Sequence, residues 1–169
     1  MSISMYDFSM PAMIRGLTNL VGILQKAEAH VESKGINPET LIEYRLYPDM
    51  LPFRVQVYIA TDNAKGCGAR LAGMTPPSYE DIENTFPDLI ARVNKTIAFL
   101  QTLTREQIDG SEDKEIVLKF RTTEMTFKGL AYLTGYALPN FYFHMTTAYD
   151  ILRHNGVELG KSDFLGKHE

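Results

Sequence analysis

The chain has 169 residues, a formal charge of −4 at neutral pH and a single cysteine. This length suits one domain with its own core, one cysteine excludes a disulfide framework, and the acidic balance offers no basic surface for DNA or RNA. Because no apolar run approaches the ~18 residues of a membrane span, we expect a single cytoplasmic domain over residues 1–169, with neither nucleic acid nor membrane as a partner.

The first predicted helix is long and amphipathic. Apolar residues recur at three- and four-residue steps from Met10 to Val31, which predicts a helix over Ser9–Lys34 that ends at Gly35. After it, the segment Pro38–Tyr44 is predicted to form a short helical turn.

A second long helix is predicted from about Met50 to Gly73. Its outward face carries Arg54, Thr61 and Lys65. The opposite, inward face carries Gln56, Ile59, Asn63, Cys67 and Arg70. Three of those five inward residues are polar, which is unusual for a core-facing stripe. We expect Arg70 to reach water near the helix end and Cys67 to be a small packing residue.

A third helix is predicted after the linker residues Pro76 and Pro77. Ser78 is a suitable N-cap, acidic residues follow in the first turn, and Pro87 is expected to kink the helix. The predicted core stripe consists of Tyr79, Ile82, Phe86, Leu89, Ile90, Val93, Ile97 and Leu100.

Two short apolar segments, Glu115–Phe120 and Glu124–Phe127, predict a two-stranded hairpin packed against the helices. A fourth long helix is predicted over Pro139–Asn155, followed by a stop at Gly156 and an extended tail. Its apolar face carries Phe141, Met145, Ala148 and Leu152. The adjacent polar face carries Asn140, His144, Thr147, Ile151 and His154. A polar face beside a bundle core predicts a site there.

The order of these elements and the amino-acid sequences of three segments resemble those of a known protein family. The segments are Leu138–Val157, which reads LPNFYFHMTTAYDILRHNGV, together with Ala64–Gly66 and Arg70–Gly73. They resemble an uncharacterised domain-of-unknown-function family within the DinB/YfiT-like four-helix bundles. The resemblance implies an all-α four-helix bundle, to which the residues add the small hairpin before the last helix. It also implies that the second and third helices are joined by a long crossover or run in parallel, and that the protein is a homodimer.

Many relatives in that wider superfamily hold a divalent metal with three histidines. Alignment on the resemblance places Asn63, Asn140 and His144 at the three ligand positions. One imidazole and two neutral amides form a poor site for zinc or nickel, because amide oxygens are weak, hard ligands. We therefore expect no metal cofactor, and His144 is the candidate ligand if a metal is bound.

Three functions remain open from the sequence. The first is a polar pocket between the second and fourth helices that binds a small ligand through Gln56, Asn63, Asn140, His144 and Thr147. The second is a metal-dependent hydrolase or thiol transferase, with His144 and Asp62 as candidate catalytic residues. The third is a non-catalytic structural or protein-interaction module. The abundance of Met, Phe and Tyr favours a homodimer in each case.

Each candidate residue also has a purely structural interpretation. His144 could be a half-buried histidine that donates a hydrogen bond to a neighbouring helix. Asn63 and Asn140 could form a buried amide network that fixes the register of two helices. Asp62 could be a solvated acid that pairs with Lys65 or, alternatively, a residue that orients His144.

Overall fold

The computed structural model describes residues 4–120 and 122–166. In chain order, its elements are α1 (Met5–Lys34), α2 (Pro38–Ile42), α3 (Phe53–Leu71), α4 (Phe86–Gln101), α5 (Arg105–Ile108), β1 (Glu115–Lys119), β2 (Glu124–Lys128), α6 (Gly129–Tyr132), α7 (Leu138–His154) and α8 (Lys161–Leu165). A π-helical turn, Leu133–Ala137, joins α6 to α7. The four long predicted helices therefore correspond to α1, α3, α4 and α7.

The four long helices form a closed ring around the core. Helix α1 packs against α4, α4 against α3, α3 against α7, and α7 against α1. The inward apolar stripes meet there, and the largest fully buried side chains include Phe53, Phe86, Phe141, Met13 and Leu17. This arrangement confirms the all-α four-helix bundle with a small hairpin.

The hairpin precedes the last helix, as predicted, and covers one side of the bundle. Strands β1 and β2 pair antiparallel, with Glu115 opposite Lys128 and Lys119 opposite Glu124. On β1, Ile116 and Leu118 are buried. The chain then turns into α6 at Gly129, where a Cβ atom would lie 1.9 Å from the Ser111 carbonyl oxygen. Only glycine permits that close approach of two backbones.

The prediction for the third helix was wrong at its start. Helix α4 begins at Phe86, where the Thr85 side chain accepts a hydrogen bond from the Asp88 amide. Pro87 lies in the first turn, where a missing N–H costs nothing, so it starts the helix instead of kinking it. Residues 74–85 form a non-helical linker, and Ile82, predicted to be in the core, is 70% exposed.

The predicted outward face of the second helix was also wrong, because this linker covers it. Thr61 and Lys65 are buried. The Arg92 side chain, 2% exposed, lies between α3 and the linker and donates to Thr61 at 2.8 Å. The ring of Tyr79, a linker residue, lies 4.3 Å from the Lys65 ammonium and 5.3 Å from the Arg92 guanidinium. Polar residues are therefore buried here in pairs, which helical periodicity alone does not reveal.

Three further boundaries differ from the predictions. Helix α1 begins at Met5 instead of Ser9, because the Ser4 side chain caps it by accepting from the Asp7 amide. Helix α7, Leu138–His154, agrees with the predicted Pro139–Asn155, but the helical stretch that contains it starts ten residues earlier, at Gly129, because α6 and the π turn precede α7 without a break. The tail includes the short helix α8 and is not fully extended.

Within the described ranges, no helix combines the length and the apolarity that crossing a membrane requires.

Candidate functional site

A cleft of about 250 Å³ lies between α3 and the last helix, with the hairpin along its third side. Helix α3 contributes Ile59, Asp62, Asn63 and Arg70. The continuous helical stretch from α6 through the π turn to α7 contributes Tyr132, Tyr136 and Asn140. The end of the hairpin's first strand contributes Leu118, Lys119 and Phe120. Amide, guanidinium and phenol groups thus face one another across a space partly walled by apolar side chains.

Two amides lie on facing helices at this cleft, as predicted. Asn63 comes from α3 and Asn140 from α7, and both are half-buried. The Oδ1 atom of Asn63 is fully buried and has no hydrogen-bond partner among the described residues. A buried acceptor without a partner costs about 1–3 kcal/mol, so this atom requires an explanation.

Arg70 lies one heptad beyond Asn63 on α3, and its guanidinium folds back along the helix. An added Cβ at Gly66 would lie 2.4 Å from Arg70 Nη1, and the three nearest heavy atoms to that position all belong to Arg70. Nη1 also donates to the Tyr132 hydroxyl at 3.2 Å. Arg70 is therefore half-buried at the cleft, with its head group against the helix, because glycine leaves room for it there.

The aromatic wall of the cleft is formed by Tyr132 and Tyr136. Their rings stack with centroids 6.0 Å apart, and Phe127 of β2 packs against both. Tyr132 is fully buried, and burial raises the pKa of its phenol far above the usual value. The Tyr132 hydroxyl is therefore neutral at all physiological pH values and serves as a hydrogen-bonding group.

His144 and Gln56 form a hydrogen-bonded pair that lies outside the cleft lining. His144 Nδ1 lies 2.7 Å from Gln56 Oε1, and Gln56 Nε2 donates to the Leu51 carbonyl oxygen at 2.9 Å. Since the amide oxygen only accepts, Nδ1 carries the proton and Nε2 is the basic nitrogen. Burial of the ring lowers the pKa of His144. The pair links α3 to α7, in line with the structural interpretation of His144.

Asp62 and Thr147 make local or structural contacts. Asp62 Oδ1 accepts from Lys65 Nζ at 2.5 Å and from Arg92 Nη2 at 2.8 Å, so its negative charge is balanced by two cations. These two cations, and not His144, are the ion-pair partners that the structure gives to Asp62. The hydroxyl of Thr147 donates to the Phe143 carbonyl oxygen of its own helix at 2.8 Å.

The structure thus brings Asn63 and Asn140 to one cleft, pairs Gln56 with His144 beside it, and leaves Thr147 apart. Tyr132 and Tyr136 were not predicted as site residues, because they lie in α6 and the π turn, which precede the helix predicted from Pro139. A signal was present: Tyr132, Tyr136, Asn140 and His144 follow one another at four-residue steps.

The chain matches the model of a domain-of-unknown-function family, DUF1993, over residues 5–165. It belongs to the DUF1993 family. The crystal structure of a DinB family member protein from Shewanella denitrificans is similar to it, with 36% sequence identity, a TM-score of 0.86, and coverage of 96% of this chain and 92% of that chain. A comparison with curated proteins gives no significant match. The family and fold suggested by the sequence are confirmed.

The donor set at the superfamily's metal position in this DUF1993 chain does not fit a transition metal. Asn63 and Asn140 offer neutral amides, so the imidazole of His144, whose Nδ1 bonds Gln56, is the one strong ligand among the three residues. In residues 4–120 and 122–166, no three His, Cys, Asp or Glu side chains lie close enough to hold a metal ion. Zinc and nickel sites rely on about three imidazole, thiolate or carboxylate ligands, and these positions supply one.

Cys67 does not provide the thiol chemistry of a transferase in this DUF1993 protein. The side chain is fully buried in the bundle core, and burial raises the pKa of its thiol to about 12. Since the thiolate is the nucleophile, a thiol of this kind is unreactive at neutral pH. Cys67 is a packing residue.

Proposed function

We propose that this protein binds a small polar ligand in the cleft between α3, the last helix and the hairpin. The observation that carries the proposal is the buried Asn63 Oδ1, which has no hydrogen-bond partner among the described residues. Natural proteins seldom bury an acceptor without a partner, and binding sites are where such groups are retained. A ligand N–H or O–H donor would supply the hydrogen bond that the protein does not, once rotation of the Asn63 amide turns this atom toward the cleft.

The composition of the cleft supports the same proposal. Binding sites for small molecules combine apolar walls with a few polar groups that fix orientation. Here Phe120 and Leu118 supply apolar surface, while Asn63, Asn140 and Arg70 supply donors and acceptors. The volume of about 250 Å³ equals the liquid volume of about eight waters at ~30 Å³ each, which suits a small metabolite.

The test is a nuclear magnetic resonance screen of uniformly ¹⁵N-labelled protein against small amino acids, hydroxy acids and amides at millimolar concentration. We expect at least one compound to shift the side-chain amide signals of Asn63 and Asn140 saturably. Asn63→Leu keeps the branched shape but removes the acceptor, and it should abolish binding. Asn94→Leu, on the exposed face of α4, is the matched control and should leave binding intact.

Two results would count against the proposal. One is a screen in which no compound perturbs the cleft signals. The other is binding that persists unchanged in Asn63→Leu, because the group that carries the argument would then make no contribution.

We also propose that the protein is a cytoplasmic homodimer. Supporting this, several large apolar side chains lie in water, including Tyr47 at 65%, Phe143 at 55% and Tyr142 at 40% exposure. Exposed aromatic surface of this kind marks interfaces. Light scattering of the purified protein should give about twice the 19.1 kDa chain mass, and a monomer at high concentration would contradict the proposal.

A further inference from the structure

The charges around the cleft are unbalanced. Its lining contains Arg70, Lys119 and Asp62 as charged residues. Asp62 is already neutralised by Lys65 and Arg92 at 2.5 and 2.8 Å. Within the described part of the chain, Arg70 has no carboxylate within ion-pair distance, and its one side-chain partner is the neutral Tyr132 hydroxyl. The cleft therefore presents a positively charged guanidinium to whatever enters it.

Gly66 positions that guanidinium. Glycine is a poorer helix former than alanine, so a structural reason for a glycine within a helix is expected. The three nearest heavy atoms to its missing Cβ are Arg70 Nη1, Cζ and Nη2, at 2.4, 3.4 and 3.7 Å. An alanine at this position would meet Arg70 Nη1 first and would have to displace the guanidinium. Gly66 is thus the residue that lets Arg70 lie along α3 and face the cleft.

We infer that the ligand of this cleft is a small carboxylate, whose carboxyl group binds Arg70 while an N–H or O–H donor on the same molecule bonds Asn63 Oδ1. The inference rests on the proposed function and adds the chemical class of the ligand. The planar guanidinium matches a carboxylate with paired hydrogen bonds. Lys119 is an exposed side chain, so Arg70 is the fixed cation of the lining, and one fixed positive charge suits a monoanion better than the dianion of a phosphate.

The helix geometry also limits the size of the ligand. The guanidinium lies beside Gly66, three residues from Asn63, and three residues of α-helix rise about 4.5 Å. The carboxyl group and the donor must therefore be separated by only a few bonds. Hydroxy acids, amino acids and N-acylated amino acids of low mass have this arrangement.

The experiment compares carboxylates with their neutral carboxamides, which have nearly the same shape. Glycolate, L-serine and N-acetylglycine are titrated against ¹⁵N-labelled protein beside glycolamide, L-serinamide and N-acetylglycinamide, with inorganic phosphate as a separate arm. The readouts are the Arg70 Nε–Hε and Asn63 side-chain signals. We expect at least one carboxylate to bind saturably, about tenfold or more tightly than its carboxamide, and more tightly than phosphate.

Two variants test the role of the guanidinium. Arg70→Gln should weaken carboxylate binding about tenfold or more, without weakening the residual binding of the carboxamide. Gly66→Ala should have the same effect on binding while raising the melting temperature by about 2–4 °C, because helix propensity improves. Gly22→Ala is the matched control: its Cβ meets nothing within 4 Å, so it should raise stability similarly and leave binding unchanged.

The outcomes separate this inference from the proposed function. If the carboxamides bind as tightly as the carboxylates, or phosphate binds more tightly than both, the carboxylate inference is overturned while a ligand cleft remains. If Gly66→Ala binds carboxylates normally, Arg70 has been assigned the wrong role. If none of these compounds perturbs the cleft, the carboxylate inference fails, and a blank result across the broader screen overturns the proposed function as well.

Discussion

Asn63→Leu should make this protein more stable, which is the reverse of the usual effect of a substitution in a helix packed within a bundle. Leucine has the same branched side-chain shape as asparagine, with methyl groups in place of the oxygen and nitrogen. The substitution therefore removes a buried acceptor without creating a cavity. If the amide is retained for a ligand, the isolated protein loses nothing when it is replaced.

The magnitude follows from two contributions. Removing a buried acceptor that lacks a partner recovers about 1–3 kcal/mol of the free energy of unfolding. Leucine is also a better helix former than asparagine by about 0.4 kcal/mol. The sum predicts a gain of about 1.4–3.4 kcal/mol, equivalent to an increase in Tm of about 3–14 °C for a chain of this size.

Urea denaturation followed by far-ultraviolet circular dichroism measures this gain. Asn94→Leu, at an exposed position of the same kind of element, should gain only the propensity contribution of about 0.4 kcal/mol. A loss of about 1 kcal/mol or more in Asn63→Leu would refute the reasoning. It would show that the amide stabilises the folded protein, as a buried network that fixes helix register would.

Three further predictions concern the surroundings of the cleft. Arg92→Met should lower the free energy of unfolding by about 2–3 kcal/mol in urea denaturation, since it removes a buried guanidinium but leaves carboxylates that are partly in water. Gln101→Met, at the exposed end of the same helix, should change it by less than about 0.5 kcal/mol, and equal effects would contradict this. The pKa of His144 is lowered in the folded state, so the unfolded chain binds the proton more readily and stability should fall as pH drops below about 6.5. His144→Gln should show a smaller decline between about pH 7 and pH 5 in the same assay, and parallel curves would argue against the pKa shift. Elemental analysis of protein purified without an affinity tag should find no stoichiometric zinc or nickel, whereas metal that is lost in His144→Ala would show that His144 is a ligand.

The bundle was predictable because its information is local and periodic. The apolar steps from Met10 to Val31, the glycine stop at Gly35 and the hairpin segments each follow from the spacing of residues along the chain. The facing positions of Asn63 and Asn140 followed from helical phase together with the family resemblance. The buried face of a long helix can be predicted from its apolar stripe without knowing which other helix packs against it.

The errors arose where one segment covers another from a distance in sequence. Thr61 and Lys65 looked solvent-facing because the periodicity of α3 cannot show that Tyr79 and Arg92 lie over them. The Arg70 guanidinium occupies the space that a side chain at Gly66 would fill, and the direction in which a long side chain folds cannot be read from helical periodicity. The linker contains Ser78 followed by acidic residues, a typical helix start, but in the folded protein its Tyr79 packs against the buried Arg92.

The hairpin gives the cleft a wall whose local stability differs from that of the bundle. Strand β2 is exposed over nearly its whole length, and β1 is fastened to the core mainly by Ile116 and Leu118. A two-stranded hairpin with so little buried surface opens at a lower free energy than the packed helices, in the sense measured by amide hydrogen exchange. Because Leu118 also lines the cleft, opening of the hairpin would remove one wall of the proposed ligand site. An occupied cleft should therefore slow amide exchange at β1 without altering the exchange of α1.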